Sequence, residues 1–136
     1  MRRAAAALAA LALLGAAPMP DANCRLRHSE LRVYSLAKLP ANIRQALIAI
    51  AGPMADRGQP FNATDVVTKR APFNRFIRAD AYSEYWSVWY EHGGIAYWKQ
   101  IVILDQEIGL HLATQQRATS PDLCADTDRI YDKMLP

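Results

Sequence analysis

The sequence has few of the residue combinations with which enzymes and metalloproteins usually build a reactive centre. It contains two cysteines and three histidines in 136 residues, with no Cys-x-x-Cys pair, no Gly-x-Ser-x-Gly motif and no glycine-rich phosphate loop. The histidines His28, His92 and His111 are not spaced like metal ligands. Glu91 and His92 are neighbours on a predicted strand, so their side chains point to opposite faces. We therefore expect no catalytic residue, no bound metal and no cofactor.

Charge of one sign is also scarce. The formal net charge is +3, and 21% of the residues are charged while 51% are hydrophobic. This composition is typical of a globular domain and too weakly basic to indicate a nucleic-acid partner. Lys69, Arg70, Arg75 and Arg78 lie near two phenylalanines, and we expect these cations to form a solvated strand face or, at most, a patch that docks an anionic partner.

A long hydrophobic run occurs only near the start of the chain. Arg2 and Arg3 precede an uncharged stretch rich in alanine and leucine over 4–17, and small residues and two prolines follow. This order is typical of a secretory signal peptide, and about 14 apolar residues are fewer than the roughly 20 that a membrane-spanning helix needs. We expect residues 1–22 to be the signal peptide and residues 23–136 to form a single domain.

The predicted signal peptide places the protein in the periplasm or outside the cell, with no membrane span in the mature chain. Alanine- and arginine-rich usage suggests a bacterial source. Cleavage after Ala17 or after Ala22 fits the pattern, although Pro18 and Pro20 make both sites imperfect. The sequence leaves the oligomeric state open.

The two cysteines lie almost at the two ends of the predicted mature chain. In an oxidising compartment the simplest interpretation of Cys24 and Cys124 is one disulfide that ties the termini together. It would close a loop of about 100 residues, which the chain-entropy model values at about 4–5 kcal/mol of stability. Free thiols and a bridge between two chains are the alternatives.

Apolar spacing and capping residues predict two helices. The main helix opens at Leu39-Pro40, and Gly52-Pro53 ends it. A shorter C-terminal helix starts at Ser120-Pro121-Asp122, with Ser120 as the N-cap. The residues that we expect to face the core are Ile43, Ala46, Leu47, Ile50 and Met54 in the first helix, and Leu123, Ile130 and Met134 in the second.

Runs rich in β-branched and aromatic residues predict the strands, over 31–36, 73–78, 84–92, 95–104 and 108–113. Residues 55–68 have the composition of a loop, which Phe61, Val66 and Val67 can anchor. The fold class is therefore α+β. We expect one main helix packed on an antiparallel sheet of three to five strands, with a short C-terminal helix and a disulfide between the termini.

The strongest local signal is a hairpin with Gly93 and Gly94 as its two-residue turn, because both can adopt positive φ. This register pairs Trp89 with Trp98 and sorts the side chains onto two faces. The more aliphatic face, which we expect under the main helix, carries Trp86, Val88, Tyr90, Ile95, Tyr97, Ile101 and Ile103. The other face carries Tyr85, Ser87, Trp89, Glu91, Trp98 and Gln100.

Two functions compete for the mixed aromatic and polar face. It can be structural, since a cross-strand Trp pair stabilises a hairpin by about 0.2–1 kcal/mol. It can instead be exposed and bind a glycan or, as we favour, a periplasmic or extracellular protein, as an inhibitor or immunity protein would. Our leading hypothesis is this non-catalytic binding module. Its expected binding residues are Tyr85, Trp89, Gly93, Gly94, Trp98 and Gln100.

Two alternatives stay open. In the first, the protein is a small-ligand carrier or an enzyme with a pocket between helix and sheet, lined by Trp86, Tyr90, His92 and Tyr97. His92 would titrate near neutral pH and a tyrosine would donate a proton. In the second, the protein is a structural component of the cell envelope, which predicts self-association and no specific ligand.

Overall fold

Two helices lie on opposite faces of one sheet. The computed structural model describes residues 19–20, 22–107 and 109–136; most of the predicted signal peptide and one residue of the predicted strand at 108–113 lie outside these ranges. The strands are β1 (Leu31–Val33), β2 (Met54–Ala55), β3 (Asn74–Tyr82), β4 (Tyr85–His92), β5 (Trp98–Asp105) and β6 (His111–Arg117). The helices are α1 (Ala41–Ala51) and α2 (Leu123–Met134), with a short 3-10 helix at Leu36–Lys38.

The sheet is antiparallel, as expected, but larger than three to five strands. Its order is β1-β3-β4-β5-β6, and β2 runs parallel to β3 on the edge that β1 also occupies. β6 is exposed over nearly all its length. A strand that buries neither face needs no alternation of apolar and polar residues. The sequence of β6 therefore carries only a weak strand pattern.

Helix α1 follows its predicted pattern. Ile43 and Leu47 are fully buried, and Ala46, Ile50 and Met54 pack around them. Gly52 ends the helix with a φ of 87°, a conformation that favours glycine. On this α1 face of the sheet, the core consists of Phe76, Ala79, Trp86, Val88, Tyr90, Val102 and Leu104.

Helix α2 covers the opposite, α2 face, so the expected division into one main and one minor helix is wrong. The helices have 11 and 12 residues. Asp122, not Ser120, caps α2, since its Oδ1 accepts a hydrogen bond from the Ala125 amide at 3.0 Å. Leu123 and Ile130 are buried as expected, and Met134 packs against them. Helical spacing identifies a buried stripe but not the sheet face that it covers.

The predicted disulfide is confirmed: Cys24 and Cys124 are bonded, with their Cα atoms 6.1 Å apart. Arg78, on the sheet, also holds the N-terminal segment that contains Cys24. Its Nη1 donates to the carbonyls of Ala22 (2.9 Å) and Cys24 (2.6 Å), and its guanidinium holds Asp80 in a bidentate pair. Arg75 and Arg78 are fully buried, so the solvated face expected for them is wrong.

The β4–β5 hairpin has a different register from the predicted one. His92 lies opposite Trp98 and Trp89 opposite Ile101, so the connecting loop covers residues 93–97 and the expected Trp89–Trp98 pair is wrong. The predicted faces of β4 are right, since Trp86 and Tyr90 lie under α1. The register of β5 differs from the predicted one by three residues. Because three is an odd number, the side chains of β5 exchange faces, and Ile101 and Ile103 lie on the α2 face.

Candidate functional site

Two loops meet at one end of the sheet, where β3 begins and the β4–β5 loop turns. We call this region the hairpin end. The longer of the two loops connects β2 to β3, and the buried residue Asn62 organises it. Its Nδ2 donates to the carbonyls of Thr68 (3.0 Å) and Ala71 (2.6 Å). Its Oδ1 accepts from the Thr68 amide at 2.7 Å. One amide side chain thus closes this loop in a defined shape.

The two glycines are packing positions and not an exposed turn. A Cβ on Gly93 would lie 2.0 Å from the carbonyl oxygen of Asn62, and the Gly93 amide donates to the carbonyl of Phe73 at 2.8 Å. Gly94 has a φ of 105° and lies against the Phe73 ring. The exposed tip is the next residue, Ile95, at 97% relative exposure. The Gly93-Gly94 pair is therefore explained by the close approach of the two loops and not by a tight turn.

Four side chains form a row across the α1 face at this end: Asn74, His92, Trp98 and Arg117. The His92 ring stacks on Trp98, with centroids 4.0 Å apart, and the Arg117 guanidinium lies 3.8 Å from the Trp98 ring centroid. The Trp98 Nε1 donates to Gln100 Oε1 at 2.9 Å. Helix α1 stops beside this row, where the carbonyl of its last residue, Ala51, accepts a 2.7 Å hydrogen bond from Asn74 Nδ2.

These contacts assign the protonation of His92. Asn74 uses its amide nitrogen on Ala51, so its Oδ1 faces His92 Nδ1 at 2.7 Å and accepts the Nδ1 proton. In the neutral ring, Nε2 therefore carries the free lone pair. Burial lowers the pKa of His92, and the positive charge of Arg117 lowers that pKa further. His92 is therefore an uncharged acceptor at neutral pH.

A cavity of about 690 Å³ opens beside Asn74 and His92. Apolar side chains make most of its wall, together with Lys69 and Arg70, and no carboxylate of the described residues lines it. In the part of the chain that the structure describes, neither cation forms a salt bridge. The apolar wall consists of Ala51, Pro53, Met54, Ala71, Pro72 and Phe73.

The pocket predicted between helix and sheet is filled. Trp86 and Tyr90 are core residues, with 5% and 4% relative exposure. Of the four predicted lining residues, His92 alone lines the observed cavity. Tyr97 lies apart from the cavity, and its hydroxyl donates to Glu91 Oε1 at 2.9 Å. Burial and this hydrogen bond raise the pKa of Tyr97, so it is a poor proton donor to a ligand at neutral pH.

The predicted aromatic platform is not a surface. Trp89 is fully buried under α2, where its Nε1 donates to Thr127 Oγ1 at 2.9 Å. Trp98 lies on the opposite face, and Gln100 is buried beneath it. Tyr85 is at the far end of β4, with its ring centroid 6.1 Å from that of Tyr131. The three-residue change in register moves Trp98 and Gln100 to the face of the sheet opposite Trp89.

The exposed apolar surface is instead carried by the loops of the hairpin end. Val66 and Val67 were expected to anchor their loop, yet they are 79% and 51% exposed. Sequence reasoning missed this surface, although two adjacent valines among polar loop residues were a usable signal. We call the five exposed side chains the apolar rim: Val66, Val67, Phe73, Ile95 and Tyr97.

No protein-family model, curated protein or solved structure matches the chain. The geometry of the chain itself therefore carries the functional argument. In the described ranges, neither helix has the length and apolar character needed to cross a membrane.

Proposed function

We propose that the protein is a small exported binding protein without catalytic activity, which engages a protein partner through the apolar rim. The observation that carries this proposal is the concentration of exposed large apolar side chains on two neighbouring loops. Such patches are typical of docking surfaces, because an aromatic or branched side chain provides much contact area at low entropic cost. A specific example of this function is an inhibitor or immunity protein that acts on an envelope protein.

The way in which the loops are held supports this function. Asn62 closes one loop, and Gly93 packs against the backbone of Asn62. A surface that is already ordered loses less conformational entropy when it binds. The Cys24–Cys124 disulfide supports export, since such bonds persist in oxidising compartments.

Site-specific photocrosslinking tests the proposal. Ile95 is replaced by a benzophenone amino acid in the full chain, which is produced in its own cells. Leu112 on β6, at 41% relative exposure, is the matched control position. We expect one protein adduct from position 95 and none from position 112, because only the rim touches the partner.

A second variant excludes indiscriminate labelling. Val66→Ser, combined with the probe at position 95, removes rim surface without touching the core and should abolish the adduct. No adduct from position 95, the same adducts from both positions, or an adduct insensitive to Val66→Ser would each contradict a protein-docking rim.

A further inference from the structure

The cavity beside His92 is lined by apolar residues and by two cations, and a single small molecule can contact both. Its volume, about 690 Å³, falls within the roughly 300–1,000 Å³ of pockets that hold small ligands. Its wall is mostly apolar, with Met54, Pro72 and Phe73 as the larger side chains. A hydrocarbon or aromatic body would bury its surface there.

The charges of the lining have one sign. Elsewhere in the described chain, five arginines form a salt bridge with a carboxylate: Arg27, Arg32, Arg75, Arg78 and Arg129. Lys69 and Arg70 are adjacent in sequence, line the cavity and have no carboxylate partner among the described residues. The site therefore favours a negative group and repels a positive one.

His92 and Asn74 make the rest of the polar lining without adding a negative charge. Asn74 is buried, and its amide is occupied by Ala51 and His92. His92 is an uncharged ring whose orientation is fixed by Asn74 on one side and by Trp98 stacking on the other. Because His92 has no free donor in this arrangement and Asn74 is buried, Lys69 and Arg70 are the lining residues that can hold an anion.

We propose that this cavity binds a small amphipathic carboxylate, with its apolar body against Met54, Pro72 and Phe73 and its carboxylate at Lys69 and Arg70. This inference goes beyond docking of a protein on the apolar rim, because the occupant is a small molecule within the cavity. Phe73 is the one residue that belongs to both surfaces.

Three compounds with a ten-carbon chain, which in decanoate includes the carboxylate carbon, separate the apolar from the ionic contribution: decanoate, decanol and decyltrimethylammonium. Each is titrated below its micellar concentration into the full, oxidised chain at low salt, with binding followed by calorimetry. We expect decanoate to bind about ten-fold more tightly than decanol, and decyltrimethylammonium to bind most weakly. The preference for decanoate should shrink as salt is added, because both cations are exposed.

A charge-matched pair of variants locates the site. Lys69→Ala with Arg70→Ala should bring the affinity for decanoate down to that for decanol, while decanol binding stays the same. Lys38→Ala with Arg44→Ala removes the same charge around the start of α1 and should leave the preference for decanoate unchanged. All four side chains lie outside the core, so both variants should fold.

Four results would overturn the proposal. These are no binding of decanoate up to 1 mM, equal affinities for decanoate and decanol, tighter binding of the cationic compound, and a preference for decanoate that survives Lys69→Ala with Arg70→Ala. None of them depends on a protein partner. A negative photocrosslink at position 95 and a negative titration here are therefore separate findings.

Discussion

His92 shows how one side chain acquires a defined chemical state from its neighbours. Asn74 has no freedom to rotate its amide, because Ala51 accepts from the nitrogen and His92 donates to the oxygen. The imidazole is then held between a hydrogen bond and the Trp98 ring. No spacing rule predicts this arrangement, because the residues come together through strand register and through the point at which α1 ends.

The lowered pKa of His92 makes the stability of the protein depend on pH in a specific direction. When the pH falls, the unfolded chain takes up the proton near the ordinary pKa of about 6.5, before the folded protein does. This contribution to the free energy of unfolding is therefore complete above pH 6.5 and declines below it. One proton limits the decline to about 1.4 kcal/mol per pH unit.

Two measurements check this prediction. Urea unfolding between pH 7.5 and 5 should show a smaller decline for His92→Gln than for the native chain. An NMR titration of the His92 ring should have its midpoint below that of a histidine in an unfolded peptide. A midpoint at or above the peptide value would mean that burial and Arg117 do not dominate at this residue.

At the scale of elements, helix spacing and the faces of β4 could be predicted, whereas strand register and the partner of each face could not. The stripe containing Ile43 and Leu47 follows from a repeat within the helix itself. The β4–β5 register depends on Gly93, whose position is set by a distant loop through Asn62. A local rule for hairpin turns takes no account of that contact. It therefore predicts, wrongly, that Trp89 and Trp98 lie opposite each other.

The same limit affected the candidate site. Sequence motifs identified His92 and the adjacent glycine pair as candidates, and the structure places them at the hairpin end. The cations Lys69 and Arg70 received no site role from sequence, because nothing along the chain distinguishes them from Arg75 and Arg78. Only the packing separates two cations without carboxylate partners from two buried structural ones.

Docking of α2 on the sheet depends on one buried polar contact that can be tested by an isosteric change. Thr127→Val removes the acceptor for the Trp89 indole N–H and keeps the volume of the side chain. We expect a loss of about 1–3 kcal/mol in the free energy of unfolding, because a buried donor is left unpaired. Urea unfolding gives this value. Thr68→Val, at an exposed loop position far from α2 in sequence, is the control and should cost less.

A loss of less than a few tenths of a kcal/mol for Thr127→Val would show that water or a shifted side chain satisfies the indole. In that case the Trp89–Thr127 hydrogen bond would not hold α2 on the sheet. The near-ultraviolet circular dichroism of the variant, compared with that of the native chain, reports whether the Trp89 environment has changed.

For the whole molecule, the disulfide and the hairpin end belong to opposite faces of the sheet. Cys124 lies in the core of the α2 face, whereas His92 and the cavity lie at the end of the α1 face. We therefore expect Cys24→Ala with Cys124→Ala to lower the free energy of unfolding by up to about 4–5 kcal/mol. The affinity of the folded fraction for decanoate should not change.

This expectation is checked by urea unfolding and calorimetric titration of the same double variant, at a temperature where it remains folded. A weakened decanoate affinity in folded protein would show that the two faces communicate through the sheet. An unchanged free energy of unfolding would show that Arg78, which also holds the Ala22 and Cys24 carbonyls, fixes the N-terminal segment without the disulfide.

The separation of 100 residues between the two cysteines has a consequence for the order in which the chain assembles. Strands β3 to β6 form a meander of sequential neighbours, and such short-range pairings close quickly. The bond between the cysteines closes a loop of this length and needs both an oxidant and α2, which follows all six strands in the chain. We expect the reduced chain to complete the meander, and with it the hairpin end, before oxidation. Binding competence would then precede the covalent closure that stabilises the fold.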